Sequence, residues 1–150
     1  MAFTFTIASE LPAAPAAVWE QVSNMQGVNA ELMPLLRMTA PPDKRHLTFQ
    51  QVPLKQPLFS SWLLLFGILP FDLHHLQLDE VWEGGFRENS TSLLQRTWRH
   101  ERIIVSGGIG THLTDTITFE PRLPLIGHVI LPIVRALFRH RHRQLQRLFS

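Results

Sequence analysis

After a long run of strands the residue pattern returns to a helical period at Pro121 to Pro124, and that change limits what the chain can build. Ahead of it, from Leu36 to Glu120, turn signals punctuate short runs of alternating residues and no stretch keeps a helical period for long. Behind it, Ile126, Val129, Ile130, Ile133, Val134, Leu137, Phe138, Leu145, Leu148 and Phe149 fall on one broad helical stripe. The stripe keeps its phase through Pro132. One long helix is therefore expected, kinked or loosened over its first turns because a proline cannot donate to the preceding turn. Its arginines and histidines lie largely on the opposite face.

Strands are expected at roughly 36–40, 45–51, 58–66, 72–82, 86–94, 97–105 and 110–120, broken at Pro41-Pro42-Asp43, Gly67/Pro70, Gly84-Gly85 and Gly107-Gly108. At the front, Phe3, Phe5 and Ile7 alternate with Thr4, Thr6 and Ala8, which reads as an opening strand rather than a secretory signal. Pro15 suits a first helical position, and Val18, Trp19, Val22 and Met25 recur at helical spacing, giving a helix over 15–25. A second short helix runs from Asn29 as its cap to the break at Pro34. The class is α+β. A bent antiparallel sheet of about seven strands buries its concave face, and only the last helix is long enough to cover it. A curved sheet and one helix do not fill the space between them, so an apolar internal cavity is expected.

At 150 residues the chain is the size of one domain, 1–150, with 45% hydrophobic and 17% charged residues. It has no cysteine, which excludes disulfides, thiolate metal sites and a cysteine nucleophile. The longest apolar run, Trp62 to Phe71, is about half a bilayer span and is interrupted by Gly67 and Pro70. A cytoplasmic protein is expected.

Four blocks, in order along nearly the whole chain, carry a family resemblance: Phe3–Ile7 with Pro15-Ala16-Ala17-Val18-Trp19; Trp98-Arg99-His100-Glu101-Arg102; Gly110-Thr111-His112-Leu113-Thr114-Asp115-Thr116-Ile117; and Phe138-Arg139-His140-Arg141-His142-Arg143-Gln144-Leu145. The chain resembles the START-like helix-grip (SRPBCC) superfamily, and in particular a small bacterial branch of polyketide cyclase/dehydratase-like proteins. The resemblance implies a helix-grip fold and a hydrophobic tunnel that binds or transports a small hydrophobic molecule (a lipid, a polyketide or an aromatic metabolite), with catalysis in only some branches. No cofactor is expected.

The glycine-rich turn at Ser106-Gly107-Gly108-Ile109 joins two alternating strands. If paired positions add to about 215, His100 faces Asp115, Trp98 faces Ile117 and Arg102 faces Leu113, all on one side. Leu113, Ile117 and Phe119 make that side concave, whereas Thr114, Thr116 and Thr118 suit solvent. A desolvated Asp115 needs a partner: His100, Arg102, a hydroxyl or a water. Two readings of His100–Asp115 stay open. It is a structural bridge, or it fixes the polar end of a ligand or acts as the acid–base pair of a cyclase/dehydratase-type enzyme.

Glu88 and Ser90 share a face with Phe86 and would add a second polar spot, with plain alternation at an exposed edge as the ordinary explanation. Trp62 is taken as a residue of the pocket mouth, and Ile130 and Val134 as its helical wall. His74 and His75 point to opposite strand faces, and His140 and His142 diverge by about 200° on a helix, so neither pair chelates a metal. The last sixteen residues hold five arginines and no acid. A solvated face is the default for them, with weak contact to an anionic membrane surface as the alternative and nucleic acid not expected.

Overall fold

The computed structural model describes residues 1–150. Strand β1 (Phe3–Leu11) leads into helices α1 (Pro15–Val22) and α2 (Met25–Leu32). Strands β2 (Leu36–Met38), β3 (Pro57–Leu65), β4 (Leu69–Trp82), β5 (Gly85–Ser92), β6 (Gln95–Gly107) and β7 (Gly110–Pro121) follow, and helix α3 (Gly127–Leu148) closes the chain. The seven strands form one antiparallel sheet in the order β1-β7-β6-β5-β4-β3-β2, in which consecutive hairpins fill the middle and β1 joins the end of the meander at β7. The sheet curls around α3 in the helix-grip arrangement.

The alternation of β7 divides its two faces without exception from Thr111 to Pro121. Leu113, Ile117 and Phe119 are fully buried on the concave side, and the threonines between them lie outside, where Thr116 and Thr118 meet Thr6 and Thr4 of β1. Phe5 meets Phe138 edge-on at 5.9 Å and Phe3 meets His128 edge-on at 5.2 Å, so α3 is bolted to the β1–β7 end of the wall by aromatic contact.

The β6–β7 register differs from the expected one by two residues. Gly107 pairs with Gly110, leaving a two-residue loop, so that Trp98 lies opposite Phe119, His100 opposite Ile117 and Arg102 opposite Asp115. The displaced turn lets Gly110, at φ +151°, lie where a Cβ would come within 2.7–2.8 Å of Ala13 and Leu11 backbone atoms. A slip of two residues keeps every side chain on its face, so the concave assignment survives the error.

Three further expectations are corrected. The 45–51 segment is no strand but part of a loop with two short 3-10 turns, Pro42–Lys44 and Phe49–Gln51. Its anchor is Phe49, buried edge-on against Phe86 and bonded through its N–H to Ser23 O, so burying a plug replaces strand pairing. The helical elbow breaks at Ser23–Asn24, not at Gly27. Asn24 caps α2 by accepting the Gly27 N–H at 2.8 Å, and Gly27 lies inside the helix because a Cβ there would strike Gln21 O at 1.7 Å. Asn29 is no cap, since its amide clamps both the N–H and the C=O of Met38 at 2.7 and 2.9 Å. Helix α3 runs through Pro132 without interruption, but Val129 and Ile133 of its apolar stripe stand exposed.

Candidate functional site

Between α2, α3 and β6–β7 lies a closed cluster of charge. Arg102, opposite Asp115 across the β6–β7 pair, donates from Nε to Asp115 Oδ1 at 2.7 Å and from Nη2 to Oδ2 at 2.9 Å. The other side of the same guanidinium reaches Glu31 of α2 from Nη1 at 2.9 Å and Nη2 at 2.8 Å. Arg141 of α3 donates from Nε to Glu31 Oε1 at 3.0 Å. His142 gives Asp115 Oδ2 a further bond at 2.7 Å and meets Ser9 of β1 through Nδ1 at 2.6 Å. His100 Nε2 completes Asp115 at 2.7 Å from Oδ1. Glu31, Arg102 and Asp115 have no solvent exposure at all.

Burial alone would raise the two carboxylates, but the cations outweigh it. Asp115 is held well below its ordinary value by Arg102 and His100, and Glu31 is lowered by Arg102 and Arg141. Arg102 is pushed up, because its two carboxylates overcome the cost of burial. His100 moves down. Burial disfavours its charged form more than Asp115 favours it, and Nε2 donates to the Asp115 carboxylate, which can only accept.

Beside this cluster is an internal cavity of about 310 Å³. Its walls are mainly apolar: Phe86 and Trp98 from the sheet, Met25 and Leu32 from α2, Ile130 and Val134 from α3. Phe71, Leu94 and Ile133 line it and are also exposed, which marks where it reaches the surface. Most of its polar groups are on the sheet, Asp72 and His74 of β4, Glu88 and Ser92 of β5, Gln95 and His100 of β6, and Arg141 joins them from α3. His74 Nε2 meets Glu88 Oε2 at 2.6 Å, and Ser90 donates to the same oxygen at 2.7 Å. Burial would raise Glu88, yet His74, His100 and Ser90 together hold it below its usual value. A wider depression of about 500 Å³ beside Trp19, Val52, Leu54 and Trp82 lies on the outer surface and gathers no buried polar groups.

The positions singled out from the sequence fall into three sets. Trp98, His100, Phe86, Glu88, Ile130 and Val134 line the cavity. Leu113, Ile117, Phe119, Arg102 and Asp115 are on the concave side but lie behind the lining, packed or bonded in the interior. Trp62 does neither: it is 46% exposed on the outer face of β3, and its neighbour Leu63 turns inward instead. Glu88 and Ser90 do not sit at an exposed edge, because β5 lies between β4 and β6. Arg141 and His142 are buried too, against the expectation of an outward basic face, which Arg135, Arg139, Arg143 and Arg147 do form.

Sequence reasoning missed Glu31, Arg141, His142, His74, Asp72 and Gln95. A signal existed for two of them. Asp72 and His74 share the parity of Leu76 and Leu78 along β4, so an inward face was written there. Nothing local marks Glu31, whose partner Arg102 is 71 residues away.

The fold has many solved counterparts. The chain matches protein CV1439 from Chromobacterium violaceum at a TM-score of 0.72 and 13% identity, covering 97% of this chain and 96% of that one. It matches a START superfamily protein from Mycobacterium smegmatis at 0.65 and 13%, covering 99% and 96%. It matches Ara h 8.0201 at 0.60 and 13%, covering 97% and 98%. These establish a START-like fold. No curated protein matches the sequence. The family model described as "Domain of unknown function (DUF8410)" matches residues 9–149, and the chain belongs to that family.

Proposed function

We propose that residues 1–150 act as one unit that binds or carries a small hydrophobic ligand in the cavity between α3 and the sheet. One observation carries this reading: about 310 Å³ of mainly apolar space is left open inside an otherwise packed interior. Unfilled apolar space costs stability, and its retention favours a molecule that fills it. Phe86, Trp98, Ile130 and Val134 supply the apolar contact, and Glu88 and His100 the polar edge. Arg102 and Asp115 act indirectly by fixing the His100 ring, while Leu113, Ile117 and Phe119 stiffen the wall behind it.

The neutral fluorophore N-phenyl-1-naphthylamine tests it. One-to-one saturable binding is expected, weakened at least about tenfold in Val134→Trp, which places a large ring in the space. Absence of uptake together with absence of any co-purifying lipophile on mass spectrometry overturns the reading. The acid–base alternative at His100–Asp115 has a geometric obstacle, because both Asp115 oxygens are occupied and the residue is wholly enclosed. An enzyme in this cavity would have to work through His100 Nδ1 and Glu88.

A weak contact with an anionic membrane surface is the reading of the remaining arginines. It is favoured by Leu125, Val129 and Ile133, exposed toward the N-terminal end of α3, in the same helical region as Arg135 and Arg139. Sedimentation with phosphatidylserine vesicles should be lost at high salt. No helix is long and apolar enough to cross a membrane.

A further inference from the structure

We infer that Gln95 is the hydrogen-bonding anchor of the cavity and that its ligand is an apolar molecule carrying a hydroxyl group, an alcohol or a phenol, at that end. The inference rests on the ligand-carrier reading and adds the chemistry of the ligand. Gln95 lines the cavity, is 8% exposed, and its Oε1 is the one buried side-chain polar atom in the protein without a hydrogen-bond partner. Every other buried polar side-chain group is satisfied, including the six-residue charge cluster, so an orphan here is out of keeping with the rest of the interior.

The position is fixed at its root. Ser92 Oγ accepts the Gln95 N–H at 2.9 Å, so the start of β6 is held against the end of β5. Leu94 N–H bonds to Asp72 Oδ1 at 3.2 Å, which brings β4 to the same place. The backbone at Gln95 is thus held, while the side-chain Oε1 is left unused. A carboxamide offers an acceptor and a donor, and a hydroxyl complements either one.

The neighbours argue for a neutral group. Asp72, whose Oδ1 takes the Leu94 N–H, and Ser92, whose Oγ takes the Gln95 N–H, are the polar side chains of the lining tied to this end of the wall, and Asp72 is a carboxylate. The basic group of the lining, Arg141, lies eleven residues along α3 from Ile130, toward α2, where Glu31 takes its Nε. A ligand carboxylate beside Gln95 would meet like charge, whereas an alcohol would not.

Titration calorimetry with naphthalene, 2-naphthol and 2-naphthoate on the wild-type protein and on Gln95→Met tests this. The wild type should prefer 2-naphthol to naphthalene by about fivefold or more. In Gln95→Met that preference, read as the ratio of the 2-naphthol and naphthalene affinities of the variant itself, should vanish. The melting temperature of the ligand-free variant should be equal or higher, because a buried acceptor without a partner has been removed. A preference that survives in Gln95→Met, or an equal loss for 2-naphthoate, overturns the assignment and leaves the carrier reading standing. A melting temperature lowered by several degrees also overturns it, since a fixed internal partner such as a water would then hold the amide. If none of the three compounds binds the wild type, the carrier reading falls and the anchor falls with it.

Discussion

The interior has two polar regions that obey opposite rules. In the Glu31–Arg102–Asp115 cluster every acceptor is taken, five elements converge, and no space is left. At the cavity wall most of the polar side chains sit on the sheet side of an open volume, and one of them has no partner. Complete satisfaction makes the first region a clasp, because a buried charge keeps its place only while all its partners keep theirs. Incomplete satisfaction is what the proposed binding role requires of the second, because a missing contact can be made by another molecule. The two regions meet at His100, which gives Nε2 to the clasp and shows Nδ1 to the cavity side, 3.9 Å from Glu88.

Removing the clasp's central cation should break the comparison most sharply. Arg102→Met leaves two enclosed carboxylates facing each other, and urea unfolding should show a loss of about 3–5 kcal/mol. A loss below about 1 kcal/mol would mean that the cluster is not a clasp at all.

Acid should act next. Glu31, Glu88 and Asp115 are lowered in the fold, so the stability they contribute is present above their ordinary values of 4.5 and 3.8 and is lost as pH falls through the folded values. His100 is also lowered from 6.5, so its contribution is complete above that pH and declines below it, as the unfolded chain takes up the proton first. Urea midpoints measured from pH 7.5 downward should therefore start to fall near 6.5, by at most about 1.4 kcal/mol per pH unit for this one group. His100→Gln should delay that first decline to the carboxylate range.

Smaller effects sharpen the contrast. Asn24→Ala removes the cap that aims α2, and with it Glu31, at the clasp, and should cost about 1 kcal/mol. Val134→Phe should change stability by less than about 1 kcal/mol, below the usual cost of overpacking, because it grows into open space. A thermal melt showing a larger penalty would mean that the cavity wall is as tightly determined as the clasp.

The strand alternation from Leu113 to Phe119 was legible because burial on one face writes itself at period two, and it stayed legible through a register error of two residues. The same parity announced His100 and Asp115 as inward groups, but for Glu88, on the face of Phe86, it was read as alternation at an exposed edge. Trp62 was misplaced because β3 is apolar on both faces, so parity alone carried no sign. The outward assignment of Arg141 and His142 failed for another reason: residue type suggests solvent, and only a partner elsewhere reverses it.

By itself the sequence determined the order of elements, the bent wall and the gripping helix, since periodicity and turn residues are local properties of a chain. Tertiary structure alone decided that Glu31 and Arg141 would close on Arg102 and Asp115 and that Gln95 would be left open. A buried charge or amide is made stable or needy by what lies across the fold from it, and separations of 71 to 110 residues put that information beyond any local pattern.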